Sequence, residues 1–207
     1  MLKILGKASS INVRKVLWTC AEIGVPFEQL ECGDGVRQVP KAQLAALNPN
    51  ATVPVMVDDH FVLWESNSIC RYVCAQYGGD ALLPVAPRPR ARVEQWMDWQ
   101  ATELNSAWRY AFMALVRRSA AHADGEQIQA SVDHWNRLLG ILERHLGATG
   151  AFVAGERFTL ADIVLGLSIN RWQMTPLSRP DYPALAAYYQ RLGERTGFAQ
   201  FCCNGIA

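Results

Sequence analysis

Through the first eighty residues the spacing of apolar positions changes several times, and beyond them it keeps one period. Leu2 to Leu5 is a short apolar run of buried-strand length. A polar turn, Gly6 to Ser10, comes next. Val13, Val16, Leu17 and Cys20 then recur at three and four residues, which predicts a helix from about Val13 to Ile23 with Gly24 just past its end. Phe27 to Cys32 alternates as a second strand after Pro26, and strand, helix and strand of these lengths make a right-handed unit with parallel strands. Gly33 to Leu47 mixes glycine, proline and polar residues, predicting an irregular segment with a short helix near Pro40 to Ala46. Val53 to Val57 and Phe61 to Trp64, separated by Asp58-Asp59-His60, predict a hairpin. Ser66 to Tyr77 predicts a helix stopped by Gly78-Gly79.

Pro84, Pro87 and Pro89 break this pattern, and we place a boundary there: a first domain over 1–83, a linker over 84–90 and a second domain over 91–207. Beyond the prolines every segment has helical period. Ala91 to Ala120 and Glu126 to Leu146 each carry one apolar stripe and predict two long antiparallel helices. Thr159 to Trp172 has almost no polar face and predicts a buried helix, begun by a Thr159/Asp162 capping box and a Phe158/Ile163 staple. A last helix is predicted over Pro183 to Arg195, with proline in its first turn.

Composition narrows the function classes. The chain has 207 residues, half of them apolar, which is ample for real cores. Lys and Arg number 20 against 19 Asp and Glu, so there is no basic excess to neutralise phosphates, and nucleic acid is not expected as a partner. The start, M-L-K-I-L-G-K, has no apolar run of signal-peptide length, and no stretch of about 18 uncharged apolar residues suits a membrane span. A soluble cytoplasmic protein is expected. Six cysteines are scattered without a C-x-x-C, so reduced thiols are expected. Cys70 and Cys74 share a helix face at metal-ligand spacing, but the four histidines form no matching cluster; core packing is the reading, with no metal.

The turn that joins the first strand to the first helix carries candidate chemistry. Ser9, Ser10 and Asn12 crowd it, where unpaired backbone N–H groups face outward, and a helix cap accounts for one of the three. Two further stretches stand out, Leu47 to Val55 and Leu63 to Tyr77. If the Val53-Pro54 bond is cis, the Val53 N–H and C=O form a short open edge to which a peptide-like ligand can add. Glu65-Ser66 falls where a helix begins, so the Ser66 N–H and hydroxyl suit a carboxylate, and Glu65 supplies the charge for an adjacent amine.

Together S-S-I-N-V-R-K-V, L-N-P-N-A-T-V-P-V, L-W-E-S-N-S-I and F-T-L-A-D-I, in this order, resemble the cytosolic glutathione transferases, of the bacterial theta- or nu-like type with Ser or Asn in the first turn. The resemblance spans nearly the whole chain. It implies an α/β thioredoxin-like N-terminal domain followed by an all-α C-terminal helical domain. It also implies glutathione as co-substrate, a cis Val53-Pro54 bond pairing with its cysteinyl unit, Glu65 and Ser66 reading its γ-glutamyl group, and a homodimer. For the residue that stabilises the thiolate it points to Ser10, with Asn12 as a second donor and Ser9 as the alternative. Ala51 departs from the pattern, standing where many relatives have Lys or His for the glycine carboxylate; Lys41, Arg37 or Gln38 can substitute, Lys41 first. Asn67 stands where some have Arg. For the small electrophile, Trp108, Arg109, Tyr110, Phe112 and Met113 are available on the first long helix of the second domain.

Three functions fit such a scaffold. The first is a glutathione transferase. The second is a glutathione-dependent isomerase or dehalogenase; the Ser-Ser pair is similar to that of the maleylacetoacetate isomerases, whose S-S-C-S-W-R run is not reproduced further. The third is a non-catalytic binding protein, against which Glu65-Ser66 argues and for which Ala51 argues slightly. Serine in place of cysteine in the first turn disfavours a thiol-disulfide oxidoreductase.

Overall fold

In the computed structural model of the chain the described residues are 1–33, 36, 37 and 39–207; of 33, 36, 37 and 41 the backbone alone is described. Two compact units are present, one made of Met1–Val85 with Arg195–Ile206, the other of Ala86–Glu194.

In the first unit, β1 (Leu2–Leu5) runs through a turn into α1 (Ile11–Ile23) and on to β2 (Phe27–Leu30), which pairs parallel with β1. This is the unit that the apolar spacing predicts. β2 ends at Leu30, short of the expected Cys32, which instead begins a hairpin of two-residue strands, β3 (Cys32–Gly33) and β4 (Val36–Arg37), that runs into the segment expected to be irregular; strands so short leave no alternation to read. After α2 (Lys41–Leu47) come β5 (Val55–Asp58), β6 (Phe61–Trp64) and α3 (Ser66–Gln76). The four-stranded sheet has the order β2-β1-β5-β6, with β5 antiparallel to both β1 and β6. Below it, Leu5, Cys32, Val39, Leu44 and Val55 form a core joined by Leu30, Leu47, Val53 and Trp64. Gly78, in left-handed backbone at φ +78°, ends α3, and the Gly79 N–H returns to the Cys74 carbonyl at 2.7 Å, as the glycine pair predicts.

The second unit contains α4 (Pro87–Trp99), a π-helical stretch (Gln100–Leu104), α5 (Asn105–Leu115), α6 (Gly125–Thr149), α7 (Leu160–Met174) and α8 (Pro183–Leu192). The expected single helix over 91–120 is therefore two helices joined through a π turn. There Gln100, fully buried, donates to both Asn105 Oδ1 and Ser168 Oγ at 2.9 Å. The stretch 84–90, expected as a linker, contributes the start of α4, because Pro87 and Pro89 sit in its first turn, where a missing N–H costs nothing. Every residue of α7 from Leu160 to Trp172 is buried, and its start carries the predicted capping box, Thr159 N–H and hydroxyl reaching Asp162 Oδ2 at 2.7 and 2.8 Å.

One segment is assigned differently from the sequence reading. Residues 195–206, expected in the second domain, pack in the first unit as a strap with a π-helical turn, Phe198–Cys202, laid on α1. Gly197 lies so close to the Trp18 indole that a Cβ there would fall 2.3 Å from its Cδ1. With α3 packed on α1 as well, α1 is buried on nearly every side from Val13 to Cys20, Arg14 and Lys15 included, rather than on one stripe.

Candidate functional site

Strand register brings three separate stretches to one end of the sheet. Leu5, the last residue of β1, lies opposite Val55, and Val55 in turn lies opposite Trp64. The chain beyond Leu5, the chain before Val55 and the chain beyond Trp64 therefore emerge side by side. These are the first turn, the Val53-Pro54 dipeptide and Glu65-Ser66. Gly6 shows how tightly they meet: at φ +149° it has no room for a side chain, since a Cβ would lie 2.3 Å from Val13 Cγ2 and 3.2 Å from Val53 Cβ. Lys15 on α1 reaches Asn67 in the first turn of α3, Nζ to Oδ1 3.5 Å.

Each of the three stretches keeps polar groups uncommitted. Ser10 is the N-cap of α1 with extended backbone, φ −84° and ψ 122°, yet its hydroxyl makes no capping bond. Its N–H is held by the Lys7 carbonyl at 3.0 Å. Among the described residues the side chains of Ser9, Ser10 and Asn12 have no hydrogen-bond partner, and all three residues are half-buried. The Val53-Pro54 bond is cis. Val53 precedes β5 rather than belonging to it, its side chain packs on the core, and among the described residues its N–H and C=O have no partner. Ser66 is the first residue of α3 and only 6% exposed, while Glu65 is exposed and held at φ +72° and ψ 111°, a region that L-residues rarely occupy. Neither α1 nor α3 has an acidic side chain within its first turn, and at α3 the one carboxylate beside the positive end is that of its N-cap, Glu65.

Asn48 organises the approach to Val53 and was not singled out from the sequence. Almost fully buried, it donates through Nδ2 to the Thr52 carbonyl at 2.9 Å and accepts from the Asn50 N–H at 3.0 Å, while its own carbonyl takes the Ala51 N–H at 2.8 Å. The N-P-N-A-T run is a turn signal that pointed to it. Ala51, at φ +50°, offers no charge. Of the substitutes expected for a counterion, Gln38 and the side chains of Lys41 and Arg37 lie outside the described residues; the backbone of Lys41 begins α2.

The aromatic stripe on α5 divides. Phe112 is buried and Trp108 half-buried, and the Arg171 guanidinium lies 4.2 Å and 4.5 Å from their ring centroids, so both serve the interior of the helical unit. Tyr110 and Met113 are half-buried and Arg109 is exposed. Among the described residues no cluster of three or more His, Cys, Asp or Glu is placed to hold a metal, and no helix is long and apolar enough to cross a membrane. All six cysteines are free, and only Cys203 is exposed.

A four-stranded sheet of order β2-β1-β5-β6 with a cis proline ahead of an inner strand, followed by a helical unit, defines a two-part protein with a thioredoxin-like N-terminal domain and a helical C-terminal domain. Residues 5–81 match the family description "Glutathione S-transferase, N-terminal domain" and residues 125–191 match "Glutathione S-transferase, C-terminal domain". The chain belongs to the glutathione S-transferase family. It is 36% identical over 197 residues to "Glutathione S-transferase GstB" of Escherichia coli K12, covering 94% of each chain. A crystal structure of the theta class glutathione S-transferase from Xanthomonas axonopodis pv. citri with glutathione bound superposes with a TM-score of 0.88 at 38% identity, covering 97% of this chain and 96% of that one. The structure of the Bombyx mori transferase BmGSTD1 gives a TM-score of 0.84 at 27% identity, over 99% and 94% of the two chains.

Proposed function

We propose that this glutathione transferase binds glutathione where the first turn, Val53-Pro54 and Glu65-Ser66 meet, stabilises its thiolate, and adds it to a small electrophile. The observation that carries the reading is the convergence itself: three stretches far apart in sequence place their uncommitted polar groups at one end of the sheet. Ser66 N–H and hydroxyl, at the positive end of α3, take the α-carboxylate of the γ-glutamyl group, and Glu65 takes its amine. Val53 offers its backbone to the cysteinyl unit as a further strand would. Ser10 donates its hydroxyl to the sulfur, with Asn12 as second donor and Ser9 as the alternative. The sulfur lone pair then forms the new carbon–sulfur bond, and the displaced electrons leave with the electrophile's leaving group or are quenched by a proton. The protein works as a homodimer in the cytoplasm.

Calorimetry tests the placement. A hydrogen bond to a charged group is worth roughly 1.5 to 3 kcal/mol, so Glu65→Ala weakens glutathione binding at least about tenfold. Unchanged affinity would remove the γ-glutamyl group from this position.

A further inference from the structure

We infer that Arg14 is a positioning residue for the thiolate-binding turn, and that it acts by clasping the C-terminal strap; this rests on the placement of the thiol at Ser10. The Arg14 side chain is 0% exposed, one turn into a helix whose N-terminal end already carries positive potential. Helix stability gives no reason for a buried cation there. Among its partners is the strap: Nη1 donates to the Ile206 carbonyl at 3.0 Å, to Asn204 Oδ1 at 3.2 Å and to the Cys202 carbonyl at 3.4 Å.

The same residue closes the first turn of α1. Its N–H bonds to the Ser10 carbonyl at 3.0 Å, so the backbone that carries the Ser10 hydroxyl is tied directly to the residue that holds the strap. The first turn needs such a tie, because its N-cap serine makes no side-chain cap and leaves its hydroxyl open. Further along α1 the strap is pinned twice more. Phe198 packs edge-on to Trp18 with centroids 6.0 Å apart, and Arg195 pairs with Glu22, whose other carboxylate oxygen accepts from Trp18 Nε1 at 2.8 Å. The strap thus replaces the missing cap as the means of fixing where Ser10 stands.

The test is a pH titration of the thiolate absorbance of bound glutathione, read beside kcat and beside glutathione affinity at a pH where the thiol is protonated. In Arg14→Leu the bound thiol pKa rises by about one unit, which lowers the thiolate fraction about tenfold at pH values below both pKa values and by less near neutrality. kcat falls with it, while affinity for the protonated form is unchanged. Arg14→Lys, able to reach one carbonyl, recovers part of the shift. Asn204→Ala removes one acceptor without touching the buried arginine; it shifts the thiol pKa in the same direction by less, and it decides the matter if Arg14→Leu does not fold. A folded Asn204→Ala or Arg14→Leu protein with the wild-type thiol pKa overturns the inference. Ser10→Ala separates the two claims: a thiol pKa unmoved there defeats the role given to Ser10, whereas a shift there with none in the Arg14 and Asn204 variants defeats only the role given to the strap.

Discussion

Glu65 is held in a backbone conformation, φ +72° and ψ 111°, that costs an L-residue about 1 to 3 kcal/mol. Its side chain is exposed and has no hydrogen-bond partner among the described residues, so nothing in the fold repays that cost. The ligand amine proposed for Glu65 would repay it. Glu65→Gly therefore separates stability from function: glycine relieves the strain but loses about 0.5 to 1 kcal/mol to backbone entropy. The expected outcome is an unfolding midpoint at or above that of the wild type, together with glutathione affinity at least about tenfold lower. A variant that is both less stable and equally tight in binding would contradict this reading of the strain. The pair Glu65-Ser66 was legible in the sequence as chemistry at a helix start. Its backbone strain was not, because E-S carries no glycine or asparagine to mark a positive φ. Asn48 was missed for a related reason, since its side chain acts on the loop that follows it and shows no periodicity of its own.

At the scale of elements, α1 and α3 came through clearly, because each has an apolar stripe and a glycine stop. The π turn at Gln100–Leu104 did not, since a single inserted residue barely disturbs a spacing of three and four. The strap escaped altogether: 195–206 packs on α1 through one arginine, one glutamate and a pair of rings that lie more than 170 residues apart in sequence from their partners. Arg14, a basic residue inside an apolar helix, is the signal in the sequence that the strap covers α1. Gly197 gives the element its own test. Adding a methyl 2.3 Å from Trp18 Cδ1 forces strap and indole apart, so Gly197→Ala lowers stability by about 1 to 3 kcal/mol in denaturant unfolding. Unchanged stability would mean that the strap is not seated on Trp18.

For the whole molecule, the strand and helix order and the site stretches could be read in advance, whereas the membership of the C-terminal segment depended on contacts no local pattern encodes. The cysteines report on the finished packing. Burial pushes the Cys20 thiol up to about 12, with Cys70 nearby adding to the rise, and burial likewise pushes Cys70 up to about 11. Because both values are raised, the folded state favours the neutral thiols; the stability they contribute is fully present below the ordinary thiol range and is lost as pH rises through about 11 to 12. Near neutral pH a thiol reagent should titrate one group quickly, the exposed Cys203, and the other five only on unfolding. More than one fast thiol would contradict the packing described. On the proposed reading the first turn holds glutathione as a thiolate, through Ser10. A free thiol of pKa about 8.5 is only a few per cent ionised at neutral pH. The direct measurement is the ultraviolet absorbance of bound thiolate against pH in the wild type and in Ser10→Ala, Ser9→Ala and Asn12→Ala. A thiol pKa well below its free value in the wild type, raised by roughly one to two units in Ser10→Ala, is the expected result. A Ser10→Ala titration that matches the wild type, with the shift appearing in Ser9→Ala or Asn12→Ala instead, would contradict it.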